Sequence, residues 1–230
     1  MSRTARPAAA GVAVPLPQRP VAILLDFDGV IVESVPLKIQ AYLDIYRDEP
    51  ADKLDRIRAH QREHGGVTRR LKFEFFEREV FQRPPSAADL DRLSADYAAR
   101  VVDGVLACPF VPGAVEFLEA THRRTALHLV SGTPHGELHD IVAQRGLARY
   151  FRFVVGAPTT KRDAFAAILA AGGHPPERVV AIGDATTEFD AARSLGVAFL
   201  GIADADSNPF PADVDIAATM EGVAARLGLG

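Results

Sequence analysis

The first continuous apolar run of the chain is Val21-Ala22-Ile23-Leu24-Leu25. It is short, aliphatic and shows no alternation, which predicts a strand buried on both faces of a parallel sheet. From about Pro36 to Ala107 the pattern switches to helical spacing, in LKIQAYLDIYRD, DKLDRIRAHQRE, TRRLKFEFFEREVF and SAADLDRLSADYAARVVDGVL, with no strand among them. Pro84-Pro85 breaks that block, and Ser86 stands as N-cap of its last helix. Alternation then resumes. PGAVEFLEATH, PHGELHDIVAQRG, KRDAFAAILAAGG, EFDAARSLG and MEGVAARLG predict helices, and TALHLVSG, FRFVVGA, RVVAIGD and VAFLGI predict the strands between them.

Strands alternating with helices imply an α/β fold with a doubly wound parallel sheet. The all-helical block after the first strand reads as an inserted cap domain. The resulting organisation is a disordered tail over residues 1–19, a core over 20–34 and 109–230, and a cap over 35–108. The tail, MSRTARPAAAGVAVPLPQRP, has the Arg- and Ala-rich, acid-free composition of a targeting sequence, but its four prolines interrupt any helix or apolar core.

Composition narrows the function classes. With 230 residues the chain holds one large domain or a core with a smaller one attached. A hydrophobic fraction of 48% and a charged fraction of 24% are those of a soluble globular protein, and no apolar run is long enough to span a bilayer. A net charge of -4 argues against a nucleic-acid-binding surface over the whole molecule. The single cysteine, Cys108, excludes an intrachain disulfide and fits a cytoplasmic protein, with Cys108 itself a small hydrophobe.

The chemistry begins where the first strand ends, at Asp26-Phe27-Asp28-Gly29. In an extended chain residues two apart share a face, so both carboxylates point one way while Phe27 turns into the core. Like charges this close repel unless a cation or a chemical task holds them there. A plain Asp-Gly turn accounts for Asp28 and Gly29 but not for Asp26. A calcium loop fails because its first and last ligand positions would be Leu24 and Val35.

Later strand ends carry polar groups too: Ser131 and Gly132 after LV, Lys161 in TTKRD, and Asp184 with Glu188 in GDATTE. In a parallel sheet all of them lie on one edge, where ligands bind in such folds. Asp26 and Asp184 supply hard oxygens for Mg²⁺, and Ser131 with nearby backbone N–H groups can hold phosphate oxygens. Thr160 and Asp163 form a capping pair that places Lys161 in the first helical turn. Taken singly, Ser131 is equally a turn residue, Lys161 a solvated charge, and Asp184 with Glu188 a helix N-terminal cluster.

In LLDFDGV, Ser131, Lys161 and GDATTE the chain resembles the haloacid dehalogenase superfamily, in its phosphatase branch with a helical cap. The resemblance runs from Val21 to the C-terminal helix and implies a Rossmann-like core. It implies Asp26 as nucleophile and Asp28 as general acid and then base, the Asp28 backbone carbonyl also binding Mg²⁺. It further implies Ser131, Gly132 and Lys161 as phosphate ligands and Asp184 as metal ligand. Glu188 stands where many members carry Asp and would reach the metal through water. Arg162 follows Lys161 where many relatives have Pro.

The cap segment EHGGVTRRLKFEFF places Arg69, Arg70 and Lys72 in the first turn after Thr68. Three cations at the positive end of a helix are poorly placed unless an anion joins them. The alternative is a solvated basic face paired with Glu74, Glu77 and Glu79. Arg69 and Lys72, three apart, share a helix face that Arg70 leaves. Phe73, Phe76 and Phe81 are expected in the cap core. The expected function is Mg²⁺-dependent hydrolysis of a small-molecule phosphate monoester, a sugar phosphate or phosphoglycolate-like ester, through an aspartyl-phosphate. A phosphomutase of the β-phosphoglucomutase type and a non-catalytic binding module are the rivals.

Overall fold

The computed structural model describes residues 14–204 and 208–230. Six strands run β1 Ala22–Leu25, β2 Ala126–Pro134, β3 Phe153–Ala157, β4 Val179–Gly183, β5 Ala198–Ile202 and β6 Asp215–Ala217. All pair in parallel, in the order β3-β2-β1-β4-β5-β6. The first strand is central: Leu25 lies between Leu129 of β2 and Ile182 of β4. Its lack of alternation follows from helices on both faces. Ile23 and Leu25 join one apolar layer, Ala22 and Leu24 the other, and all four are fully buried.

The helices around the sheet are, after the cap, α5 Ala114–Thr121, α6 His135–Gln144, α7 Lys161–Gly172, α8 Thr186–Ser194 and α9 Val223–Arg226. Two details differ from the sequence pattern. The three-residue strand β6 has too short an apolar run to announce itself, and MEGVAARLG is helical only over Val223–Arg226.

The cap comprises α1 Val35–Ile45, α2 Ala51–Glu63, α3 Arg69–Phe75 and α4 Ala87–Ala107. Beyond α3 the chain widens into a π-helical turn over Phe76–Val80. Ser86 and Asp89 close a reciprocal capping box at the start of α4. Phe73 and Phe76 are fully buried and pack edge-on against Tyr42, while Phe81 stacks on Tyr46. The two connections between cap and core lie side by side: Glu33 N donates to Pro109 O (3.0 Å), and Val111 N to Ile31 O (3.0 Å).

The expected disorder of the tail falls mainly on residues 1–13, outside the described residues. From Val14 onward the expectation is corrected. Val14 and Leu16 pack against the core, and Arg19 N donates to Leu227 O (2.7 Å), because the tail end covers apolar surface beside α9.

Candidate active site

The carboxyl edge of the sheet brings the strand-end residues together. Asp26 continues β1 by donating its N–H to Ile182 O (3.0 Å), so the edge of the sheet fixes where its side chain sits. Phe27 is fully buried, as the two-residue periodicity requires. Gly29 has φ +71°, and any Cβ there would overlap the Asp184 carboxylate. Glycine is therefore needed both for the turn and for the approach of Asp184.

Lys161 is the hub beneath these groups. Buried in the first turn of α7, its ammonium lies 2.7 Å from Asp26 Oδ1, 2.7 Å from Glu188 Oε1 and 2.5 Å from Val130 O. The solvated-charge alternative is thereby excluded for Lys161. Burial alone would lower its pKa, but Asp26 and Glu188 outweigh that and hold it above the ordinary lysine value. The expected capping pair is present: Thr160 Oγ1 accepts from Asp163 N (3.1 Å).

Asp26, Asp184 and Glu188 each offer a carboxylate oxygen within 4.8 Å of the others. Burial, only partly offset by Lys161, pushes the Asp26 carboxyl up to about 7, and the charges of Glu188 and Asp28 add to the rise. Burial together with Asp26 and Glu188 drives Asp184 well above the usual carboxylate range. Among the described residues the Asp184 side chain has no hydrogen-bond or ion-pair partner. Three hard oxygens facing one another around a single lysine form a donor set suited to a small divalent cation. Glu188 belongs directly to this cluster, with α8 delivering its side chain over Gly183.

Asp28 lies in a different electrostatic setting. Lys38, three residues into α1, places its ammonium 2.6 Å from Asp28 Oδ1, and Ser34 Oγ donates to the same oxygen (2.5 Å). Burial pushes the Asp28 carboxyl up, but Lys38 and Ser34 outweigh it and hold the group below its ordinary value. Ser131 Oγ (3.4 Å) and Thr133 Oγ1 (3.5 Å) approach its other oxygen. Ser131 also accepts from Thr133 N (3.1 Å), so it serves as a turn residue and faces the site at once. Lys38 and Thr133 were not singled out from the sequence. The available signal was the Lys on the first helix after the paired carboxylates, at a spacing that turns it back toward them.

The cap closes over this edge. A cleft of about 520 Å³ lies between the two parts, with Asp26, Asp28, Gly132 and Asp184 on the core side and Lys38, Arg69 and Lys72 on the cap side. Gly66 sits so tightly on α8 that a Cβ would overlap Thr187, and Gly66 O lies next to Gly132. Arg69 and Lys72 are 9% and 5% exposed, so the solvated-face alternative describes Arg70 alone, which is exposed and paired with Asp91. Arg69 Nη2 meets Glu137 Oε1 of the core at 2.6 Å and its guanidinium covers the Tyr97 ring at 4.7 Å. Lys72 has no carboxylate partner among the described residues: it donates to Gln61 Oε1 (2.8 Å) and Gly65 O (2.7 Å). Burial, then the charge of Lys38, lowers it to about 8. Neither cation pairs with the three glutamates that follow on α3 and the π turn; Glu74, for instance, binds Arg78.

Known proteins share both sequence and architecture with this chain. Residues 21–196 match the model of the haloacid dehalogenase-like hydrolase family. Phosphoglycolate phosphatase of Synechococcus elongatus is 25% identical over 182 residues, 76% of this chain and 80% of that protein. A predicted phosphoglycolate phosphatase from Haemophilus somnus superposes with a TM-score of 0.69 at 18% identity, over 91% of this chain and 98% of that one. A β-phosphoglucomutase from Clostridium difficile superposes at 0.68 with 13% identity, over 89% and 93%. With the family match covering the strand-end carboxylates, the serine, the lysine and the acidic pair on α8, the chain belongs to the haloacid dehalogenase-like hydrolases.

Proposed function

We propose that the enzyme hydrolyses a small phosphate monoester bearing a second anionic group, through an aspartyl-phosphate on Asp26. The carrying observation is the state of the Asp26 carboxylate. Phe27 N and Lys161 Nζ both engage Oδ1 at 2.7 Å, while Oδ2 has no hydrogen bond among the described residues. Oδ2 attacks phosphorus, the ester oxygen leaves, and Asp28 supplies that oxygen's proton. Asp28, now a carboxylate, takes a proton from the water that attacks the acyl phosphate, so Asp26 is regenerated and inorganic phosphate released. In this reading Ser131, Gly132 and Lys161 hold the phosphoryl oxygens. Mg²⁺ bound by Asp26, Asp184, Glu188 and the Asp28 carbonyl would neutralise charge on the transferring group.

Substrate choice follows from the cap. The cavity fits a small molecule, and Lys72, buried without a carboxylate partner among the described residues, can take a carboxylate or a second phosphate. That accords with a phosphoglycolate-like ester, the substrate in the name of the cyanobacterial relative. A sugar-phosphate mutase is the second reading, favoured by the tight seat of Gly66 over α8, which would keep water from a phosphorylated Asp26. Asp26→Asn is expected to abolish turnover while the circular dichroism spectrum and melting temperature stay native-like. Acid-quenching the wild type with labelled substrate should leave phosphate on the protein, and the variant should carry none. Native turnover in Asp26→Asn, with deamidation excluded by mass spectrometry, would refute the assignment. Release of inorganic phosphate from phosphoglycolate, against isomerised product from a hexose phosphate, separates the two readings.

A further inference from the structure

At the opposite edge of the sheet, where β1, β2 and β3 begin, lies a second cavity of about 420 Å³. Its walls include Arg123, Arg124, Arg152, His128, His174 and Phe153, and among the described residues no carboxylate lines it. With β1 four residues long, the two cavities are separated by about 13 Å of strand.

Helix ends explain part of this charge. Helix α5 stops just before Arg123 and α7 just before His174, and cations offset the negative end of a helix. Neither end explains Arg152, which precedes β3, nor His128, which lies near the start of β2. His128 is 1% exposed, and both of its ring nitrogens lack a hydrogen-bond partner. Leaving such a polar group unsatisfied costs about 1–3 kcal/mol. The side chains of Arg123 and Arg152 likewise have no hydrogen-bond or ion-pair partner among the described residues, whereas Arg124 reaches only Leu229 O (3.4 Å). Phe153, one of two large apolar side chains exposed on the described surface, stacks on the His128 ring at 5.4 Å.

We propose that this cavity is a second anion site, independent of the substrate cavity, that takes a multiply charged phosphate compound. Two unpaired guanidiniums supply forked donors for phosphate oxygens, and the buried imidazole supplies a further donor from below. The open face of Phe153 is available to a ring carried by the same ligand. Phosphate chemistry of this kind could come from inorganic pyrophosphate or from a nucleoside diphosphate.

The test is a titration of the full chain with inorganic pyrophosphate in metal-free buffer, followed by the histidine ring resonances in NMR. No histidine lines the substrate cavity, so these signals report the second site. Saturable shifts of the His128 and His174 signals are expected, with a Kd below about 1 mM. The double variant Arg123→Ala/Arg152→Ala should bind at least tenfold more weakly, about 1.4 kcal/mol, while hydrolysing an aryl phosphate at the wild-type rate. Tighter binding of adenosine diphosphate that is lost in Phe153→Ala assigns the nucleotide as source; equal binding of both probes assigns the bare anion. Absence of a saturable shift, or unchanged affinity in the double variant, overturns the site and leaves the cluster as compensation for helix ends.

Discussion

Asp26 and Asp28 are two residues apart, share one edge and have their pKa values moved in opposite directions. Burial raises Asp26 to about 7, whereas Lys38 and Ser34 keep Asp28 ionised below its ordinary value. Asp28 in this arrangement is a base ready to accept a proton from water, and it must loosen from Lys38 to serve as the acid. Lys38→Met is therefore expected to move the Asp28 titration upward, read from its carboxyl carbon resonance, because the cation that stabilises the anion is gone. Turnover should fall roughly ten- to hundredfold, the loss of one charge-assisted contact in the transition state. An unchanged titration midpoint would show that the 2.6 Å pair does not set the state of Asp28. Asp26, Asp28, Ser131, Lys161, Asp184 and Glu188 were legible in the chain because each ends a strand or opens the helix after one. Lys38 carried a signal only in its place on the first helix after the carboxylates, and Thr133 and Glu137 carried none, because nothing in their local pattern tells which way an extended strand end or a helix turns its side chains.

Helix α3 is where a short element carries the specificity argument. The spacing of Arg69 and Lys72 put both on one face, and both are buried there, while Arg70 turns to solvent. What spacing could not tell is their partners: Arg69 spans to Glu137 on α6, but Lys72 is held by an amide and a carbonyl. Lys72→Ala is expected to lower kcat/KM for the native ester by about 1.5–3 kcal/mol, roughly ten- to hundredfold, with little effect on a small aryl phosphate. Arg69→Ala should weaken both substrates, since it also breaks a tie between cap and core, and Arg70→Ala should behave as wild type. Equal losses on both substrates for Lys72→Ala would reassign it to cap folding. The pH profile offers a separate check. Lys72 is lowered to about 8, so its charge disappears as pH rises through that value and kcat/KM for the native ester should fall above it. Lys72→Arg should remove that alkaline limb. Charged Lys72 also costs stability near neutrality, and the ligand-free fold should gain stability between about pH 8 and the ordinary lysine value of 10.5.

On the scale of the molecule, the unbroken apolar runs revealed the doubly wound sheet, since only strands covered on both faces dispense with alternation. The seat of the cap was not legible. It depends on Gly66 meeting Thr187 and on Glu137 meeting Arg69, contacts between segments more than sixty residues apart. Beneath that seat the core elements leave Asp26, Asp184 and Glu188 facing one another, an arrangement expected to make the fold sensitive to pH and to cations. A carboxyl whose folded pKa is raised contributes stability that is fully present below the unfolded value of 3.8 and is lost as pH climbs through the folded value, about 7 for Asp26. The metal-free protein should therefore grow less stable between about pH 4 and 7. Mg²⁺ needs these carboxylates deprotonated, so its stabilisation should increase over the same window. At a free concentration one hundred times its Kd the gain is about 2.7 kcal/mol, and at 2–4 °C per kcal/mol for a chain of this size the melting temperature should rise roughly 5–11 °C. Thermal scans with Mg²⁺ and with chelator at pH 5 and pH 8 read this directly: a large difference at pH 8 and a small one at pH 5. Asp184→Asn should melt higher than the wild type in chelator, because one repelling charge is removed, and should lose most of the response to Mg²⁺. Equal Mg²⁺ responses in variant and wild type would take the cation away from this cluster.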